Sequence, residues 1–193
     1  MKDDDLTGKD SLLIIESMIT TAKGNVASNQ YYFVMWGWVI ALINLFVYVS
    51  ETFFEFAYAQ MAWMICFPLG IFTAIHAARK AKERKVKTHL DDLFKYMWMG
   101  FFIAIIIIVA AGSKIGYYIN PMIILITSFP TLVTGLAIRF KPLIYGGTAF
   151  WLFAAAGFAS PHEYHSLIGA IAIIIGYLVP GYLLKRKAEN ESL

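Results

Sequence analysis

Polar and apolar positions along this chain separate into blocks. Six apolar blocks cover residues 31–50, 57–78, 96–115, 121–138, 142–160 and 166–184. Each has about the 18 to 22 residues that an α-helix needs to cross a hydrocarbon core of about 30 Å. Residues 101–111 carry no polar side chain on any face, whereas a helix on a soluble domain keeps a polar stripe. No block has a carboxylate near its centre. The pattern predicts an all-α fold, a polytopic membrane protein with six transmembrane helices.

The segment before the first block reads differently. Asp3, Asp4 and Asp5 repel one another, so residues 1–10 are expected to be disordered. Asp10 or Ser11 can then cap a short helix whose apolar positions Leu12, Ile15, Met18, Ile19 and Ala22 follow helical spacing, with Gly24-Asn25 as its stop. This helix is too short to span. It is expected to be amphipathic and either to lie on the inner leaflet or to dock beneath the bundle. The organisation is thus a tail over 1–30, a six-helix domain over 31–187 and a second tail over 188–193.

Composition agrees with one membrane domain and no separate soluble one. Hydrophobic residues make up 59% of the chain and charged residues 15%, against roughly 25% charged in soluble proteins. The net charge of +3 is mild, but of the sixteen Lys and Arg all except Lys114 fall in segments on one side of the alternating spans. The excess of basic residues in cytoplasmic loops places both termini inside. The strongest anchor is the second loop, 79–87, whose pairs Arg79/Glu83 and Glu83/Lys87 support a helical hairpin over 79–95. Its basicity suits anionic lipid. Nucleic acid is excluded as a partner because aromatic interleaving and a recognition motif are missing. Tyr31, Tyr32, Trp36 and Trp38 suit the headgroup layer. No cleavable signal peptide is visible, so the first span is expected to serve as the insertion signal. The single cysteine, Cys66, reads as a small buried hydrophobe.

Short loops leave no room for a phosphate cradle or a catalytic lid, and no cofactor is implied. Chemistry must therefore come from the spans. Pro68, Pro130 and Pro180 lie in spans two, four and six, each followed by basic residues. A helix-interior proline leaves the carbonyl four residues earlier unpaired, here those of Met64, Ile126 and Gly176. The three kinks either frame an inward-facing vestibule or are ordinary bends accommodated by packing. Intramembrane polar side chains are the usual markers of a path. The candidates for lining one are Asn44, Thr73, His76, Thr127, Ser128, Thr131 and Thr134, with Gly146 shaping the mouth beside Pro142. Hydroxyls can also bond back to their own helix, whereas the Asn44 amide needs a partner across an interface. With no carboxylate inside a span, a pump built on a carboxylate relay is disfavoured.

A second group lies on the opposite face. Glu51, Glu55, His162, Glu163 and His165 could bind a divalent metal if their loops converge, or sense acidity. Their bland alternative is a set of solvated interfacial residues. Rows of small residues, namely Gly70/Ala74/Ala78, Gly112/Gly116 and Gly169/Gly176, let helices approach closely within the chain or across a homo-oligomer.

The segments 139–147 and 176–185, Arg-Phe-Lys-Pro-Leu-Ile-Tyr-Gly-Gly and Gly-Tyr-Leu-Val-Pro-Gly-Tyr-Leu-Leu-Lys, together with Trp36-Gly37-Trp38, resemble a group of small six-span integral membrane proteins of Bacteroidota-type bacteria. The resemblance implies a bacterial inner-membrane setting and carries no activity. Motifs of urea channels, rhomboid proteases and hemolysin-III-like hydrolases are missing. Three functions are compatible with this reading: a small oligomeric channel or carrier for ions or small molecules, a non-transporting accessory or sensor that docks a cytoplasmic partner, and a lipid-acting membrane enzyme, with the first preferred.

Overall fold

The computed structural model describes residues 12–14, 16–17, 30–56, 58–82 and 89–191. Residues 12–14 and 16–17 are helical and exposed, with the Ser17 hydroxyl donating to the Ile14 carbonyl at 2.7 Å. Ile15, Met18, Ile19 and Ala22 of the expected amphipathic helix lie outside the described residues, as do 83–88 of the basic hairpin.

Six helical spans are long and apolar enough to cross a membrane. They are built from α1 (Gln30–Phe54), α2 (Cys66–Lys82), α3 (His89–Ala110), α4 (Ile119–Ala137), α5 (Lys141–Ala159), α6 (His165–Ile173) and α7 (Val179–Glu191). A 3-10 stretch, Ala59–Ile65, leads into α2. A π-helical segment, Ile174–Leu178, joins α6 to α7 within the last span. Among the described residues there is no strand. The third block ends earlier than its composition predicts: α3 stops at Ala110, and a short turn of helix, Gly112–Ile115, and a 3-10 turn, Gly116–Tyr118, carry the chain into α4. Gly116 has φ of 63°, a left-handed conformation for which glycine lacks the steric penalty. Asn120, expected in a loop, is thereby wound into the first turn of α4.

The core belongs to α1, α4, α5 and the α6–α7 span. Ala41, Ile124, Phe150, Ala154, Ala172, Ile173 and Leu178 form its main apolar cluster. A second cluster, Ile138, Phe140, Leu143 and Leu184 with Phe33 and Phe94 against it, gathers one end of the bundle, here called the basic end because Arg139 and Lys141 lie there. By contrast, Ala59 alone is buried among the described residues of the span Ala59–Arg79, and α3 turns most of its side chains outward. In water that would be untenable. In a bilayer, lipid covers an all-round apolar helix at no cost.

Glycines decide how close the core helices come. A methyl at Gly147 would sit 2.7 Å from Leu132 N and Cα, one at Gly135 2.7 Å from Ile144 N, and one at Gly157 3.0 Å from Pro121 Cγ. The backbones of α4 and α5 therefore touch from end to end. Their turn is a Schellman motif: Phe140 N–H donates to the Gly135 carbonyl at 2.9 Å and Arg139 N–H to that of Leu136 at 3.1 Å. Arg139 occupies the left-handed position, φ of 51°, where glycine is the usual residue.

Candidate functional site

The buried polar side chains other than Ser50, together with half-buried Asn120, form a file through the four-span core. At the end away from Arg139, His165 is 5% exposed. Its Nδ1 lies 2.8 Å from the Tyr117 carbonyl oxygen and its Nε2 3.1 Å from that of Ser160. One turn further along the same helix is Gly169, where an added methyl would meet Asn44 Oδ1 at 2.6 Å and Asn120 Oδ1 at 2.9 Å. There the Asn120 amide donates to Asn44 Oδ1 at 2.8 Å, and the Asn44 amide donates to its own helix at Ile40 O, 2.9 Å. Asn44 is 2% exposed. A buried amide in hydrocarbon costs about 2 to 7 kcal/mol unless bonded, so this pair ties α1 to α4, and Gly169 lets α6 close over it.

The file continues along α4. Asn120, Ile124, Thr127, Thr131 and Thr134 follow four- and three-residue steps and so share one helix face, the face that carries Ile124 into the core. Ser128 is buried beside them. All four hydroxyls bond back to their own helix: Thr127 to Ile123 O at 2.6 Å, Ser128 to Leu125 O at 2.6 Å, Thr131 to Thr127 O at 2.8 Å and Thr134 to Pro130 O at 2.6 Å. Each hydroxyl proton is spent locally, which is what makes these groups tolerable in a dry core. Each oxygen retains acceptor capacity.

The three prolines are used in three ways. Pro130 is buried inside the continuous helix α4. Pro68 is exposed, in the first turn of α2, directly after the 3-10 stretch; tightening the preceding turns removes the need for the bond that its missing N–H cannot make. Pro180 follows the π-helical segment and is buried. Gly176, whose carbonyl Pro180 cannot pair, packs against Gly146 of α5: a methyl at Gly146 would fall inside van der Waals contact of the Gly176 carbonyl oxygen and 3.0 Å from Pro180 Cγ. A Cα–H donor suits such a carbonyl where no N–H reaches. Phe150, one turn along α5, packs against the same glycine, since a methyl on Gly176 would lie 2.7 Å from its Cζ.

Other candidates stand apart from the file. Thr73 bonds back to Gly70 O at 2.9 Å, and His76, exposed on α2, is hydrogen-bonded through Nδ1 to the Tyr32 hydroxyl of α1. At the far end Glu51 accepts from Gln60 at 2.8 Å, Glu55 is exposed with φ of 49°, and Glu163 is exposed. His162 stacks on Tyr117 with ring centroids 4.3 Å apart. Among the described residues no three His, Cys, Asp or Glu side chains come together as a metal-binding group. Two open clefts on the surface, one lined by Ile115, Tyr118, Met122 and Phe158 and one between α1 and the α2 span, are apolar and do not include the file.

Sequence reasoning missed Asn120, and it named Gly169 and Gly176 only as places where helices approach closely. Asn120 was legible as an amide immediately before Pro121 at the head of an apolar block. The two glycines carried no sign of which neighbour they admit. The chain matches no protein-family model, and no curated protein or solved structure is significantly similar to it.

Proposed function

We propose that this protein is a small channel or carrier for ions or small polar molecules, working as an oligomer in a bacterial inner membrane with both termini cytoplasmic. The observation that carries the reading is the polar file, from His165 through Asn44 and Asn120 to Thr127, Thr131 and Thr134. Polar groups kept inside a membrane core mark a path by default. The last span carries a π-helical segment, a form frequent at functional sites, packed on α5 and α1. Threonine hydroxyls that release their back-bonds supply a ladder of acceptors for a cation or a solute hydroxyl. The Gly146/Gly176 contact is the narrow place through which one helix slides on another. Full-length protein in liposomes should pass a small tracer, tested in turn with monovalent cations, protons and neutral polyols. Thr131→Val should slow that flux while leaving the melting midpoint within a few degrees. Vesicles no leakier than protein-free controls for all three tracer classes would refute the reading.

A second reading is favoured by a different observation. The bare span Ala59–Arg79 carries Gly70 with open space around it, in line with Ala74 and Ala78. Such a helix suits a membrane partner, as in an accessory protein without transport. Disulfide formation between two copies carrying Gly70→Cys would assign the face to a homo-oligomer. Failure to cross-link, combined with co-purification of another membrane protein that Gly70→Leu abolishes, would assign it to a partner. For sidedness, Glu163→Cys should react with an impermeant thiol reagent from outside and Lys85→Cys only from inside.

A further inference from the structure

We propose that the cleft between α1 and the 3-10 stretch before α2 seats one membrane lipid with a primary ammonium headgroup. Its walls are Leu42, Ile43 and Phe46 of α1 and Met61, Ala62 and Ile65 of the 3-10 stretch. Phe56 and Tyr58 close one end. The space measures about 520 Å³ and is apolar and open to the side, and small-molecule pockets run from about 300 to 1,000 Å³.

The cleft exists because its two walls are tied at their ends. At one end Gln60 donates to Glu51 at 2.8 Å, beside the fully buried Ala59. Towards the basic end, the Tyr32 hydroxyl of α1 and His76 Nδ1 of α2 share a hydrogen bond. Between these ties no residue of 61–75 is buried. The nine residue steps from Leu42 to Glu51 rise about 14 Å along α1, close to half of a hydrocarbon core of about 30 Å. The cleft therefore has the depth of one leaflet, with Glu51 at the headgroup level. Water finds no polar partner in an apolar cleft. A second transmembrane helix is too thick, since two turns, about 10 Å across and about 11 Å long, occupy roughly 850 Å³. An acyl chain is thinner, and the surrounding bilayer supplies it.

Charge selects the headgroup. Residues 30–65, which carry both walls, contain two carboxylates, Glu51 and Glu55, and no Lys, Arg or His. Both carboxylates are exposed at the end that Phe56 and Tyr58 close. Glu51 spends one oxygen on Gln60 and keeps the other as an acceptor. An anionic headgroup would meet like charge here. A quaternary ammonium has no N–H to give. A primary ammonium brings a positive charge and three donors, the complement of two carboxylates. The site does not depend on the transport reading: a lipid held between α1 and the bare span serves a channel or an accessory protein alike.

The test is native mass spectrometry of the full-length chain in a nonionic detergent, with dioleoyl phosphatidylethanolamine, phosphatidylcholine or phosphatidylglycerol at equal concentration. One phosphatidylethanolamine per chain should bind about fivefold more tightly than phosphatidylcholine, the scale of an exposed ion pair. Phosphatidylglycerol should bind more weakly still. Glu51→Gln combined with Glu55→Gln keeps an acceptor for Gln60 and should erase the headgroup preference. Ala62→Phe puts a ring between the walls and should abolish the one-lipid adduct, while Ile106→Phe on α3 should leave it unchanged. Several adducts per chain without headgroup preference would mean annular lipid only and would overturn the site. A preference that survives the paired Gln substitutions would do the same. So would a dimer that Ala62→Phe dissolves, which would assign the cleft to a second copy. If Ala62→Phe fails to fold, a phosphatidylethanolamine with a photoreactive acyl chain decides on the unmodified protein. Its cross-links should fall on residues 42–46 and 61–65, and labels spread equally over α3 would overturn the site.

Discussion

Replacing Gly146 by alanine puts one methyl where the structure leaves no room. Its carbon would overlap the Gly176 carbonyl oxygen and lie 3.0 Å from both the Gly176 carbonyl carbon and Pro180 Cγ. None of these is the free end of a flexible side chain. Phe150, one turn along α5 from Gly146, already packs against Gly176, and Pro180 is a ring with fixed φ. Relief must come from moving α5 away from the last span, which strips contacts from Phe150 and Leu178. Overpacking of this kind costs about 1 to 3 kcal/mol, and a backbone obstacle places it at the upper end. Alanine favours a helix over glycine by about 1 kcal/mol in water, a gain that shrinks where the released span stays helical in the bilayer. The net loss is about 2 kcal/mol, or a fall of roughly 4 to 8 °C in melting midpoint for a chain of this size. Gly70→Ala is the control, because a methyl there meets nothing within 4 Å. The assay is thermal unfolding of both variants in one detergent, followed by tryptophan fluorescence. A Gly146→Ala midpoint equal to or above that of Gly70→Ala would refute the packing argument.

Three further outcomes follow from the same geometry. Asn44→Leu should destabilise the fold by about 1 to 2 kcal/mol by leaving the Asn120 amide unpaired. Adding Asn120→Leu should restore at least half of that loss in a double-mutant cycle, and full additivity would show that the two amides do not act as a pair. Arg139→Gly should raise stability by about 1 kcal/mol, since φ of 51° at a helix terminus costs an L-residue that much; an unchanged midpoint in the same unfolding assay would count against the strain. Gly147→Leu should prevent α4 and α5 from closing, with Leu132 backbone 2.7 Å from the first added carbon, and should show as loss of monodisperse protein on size exclusion.

The spans were legible because a bilayer demands about twenty apolar residues in a row, a signal that survives without any knowledge of neighbours. Which spans touch was not legible. The span Asp92–Ala110 is as apolar as the span His162–Arg186, with a mean hydropathy of 2.2 in each, yet the first is nearly bare and the second is the most enclosed in the bundle. When lipid and protein interiors are equally apolar, composition cannot tell them apart. Prolines were visible in the sequence, but their handling depends on the turn before them: 3-10 before Pro68, α around Pro130, π before Pro180. Asn44 could be read as needing a partner, while the identity of that partner depended on where α4 begins. His165 could be read as a metal ligand, an acidity sensor or a solvated loop residue, because only three-dimensional structure brings two carbonyls from separate hairpins to one ring.

Whether the buried file is a path or only packing is decided most directly by the water accessibility of its middle. Thr131 is 0% exposed, and Cys66 is the only cysteine to remove. Single cysteines at Thr131 and at lipid-facing Ile106, each on a Cys66→Ser background, are exposed in nanodiscs to a small, charged, membrane-impermeant thiol reagent. A channel or carrier predicts that Thr131→Cys reacts over minutes to hours as the core opens, while Ile106→Cys, surrounded by acyl chains, stays unmodified. A Thr131→Cys that remains as inert as Ile106→Cys, in protein whose surface Glu163→Cys control reacts fully, would contradict the account.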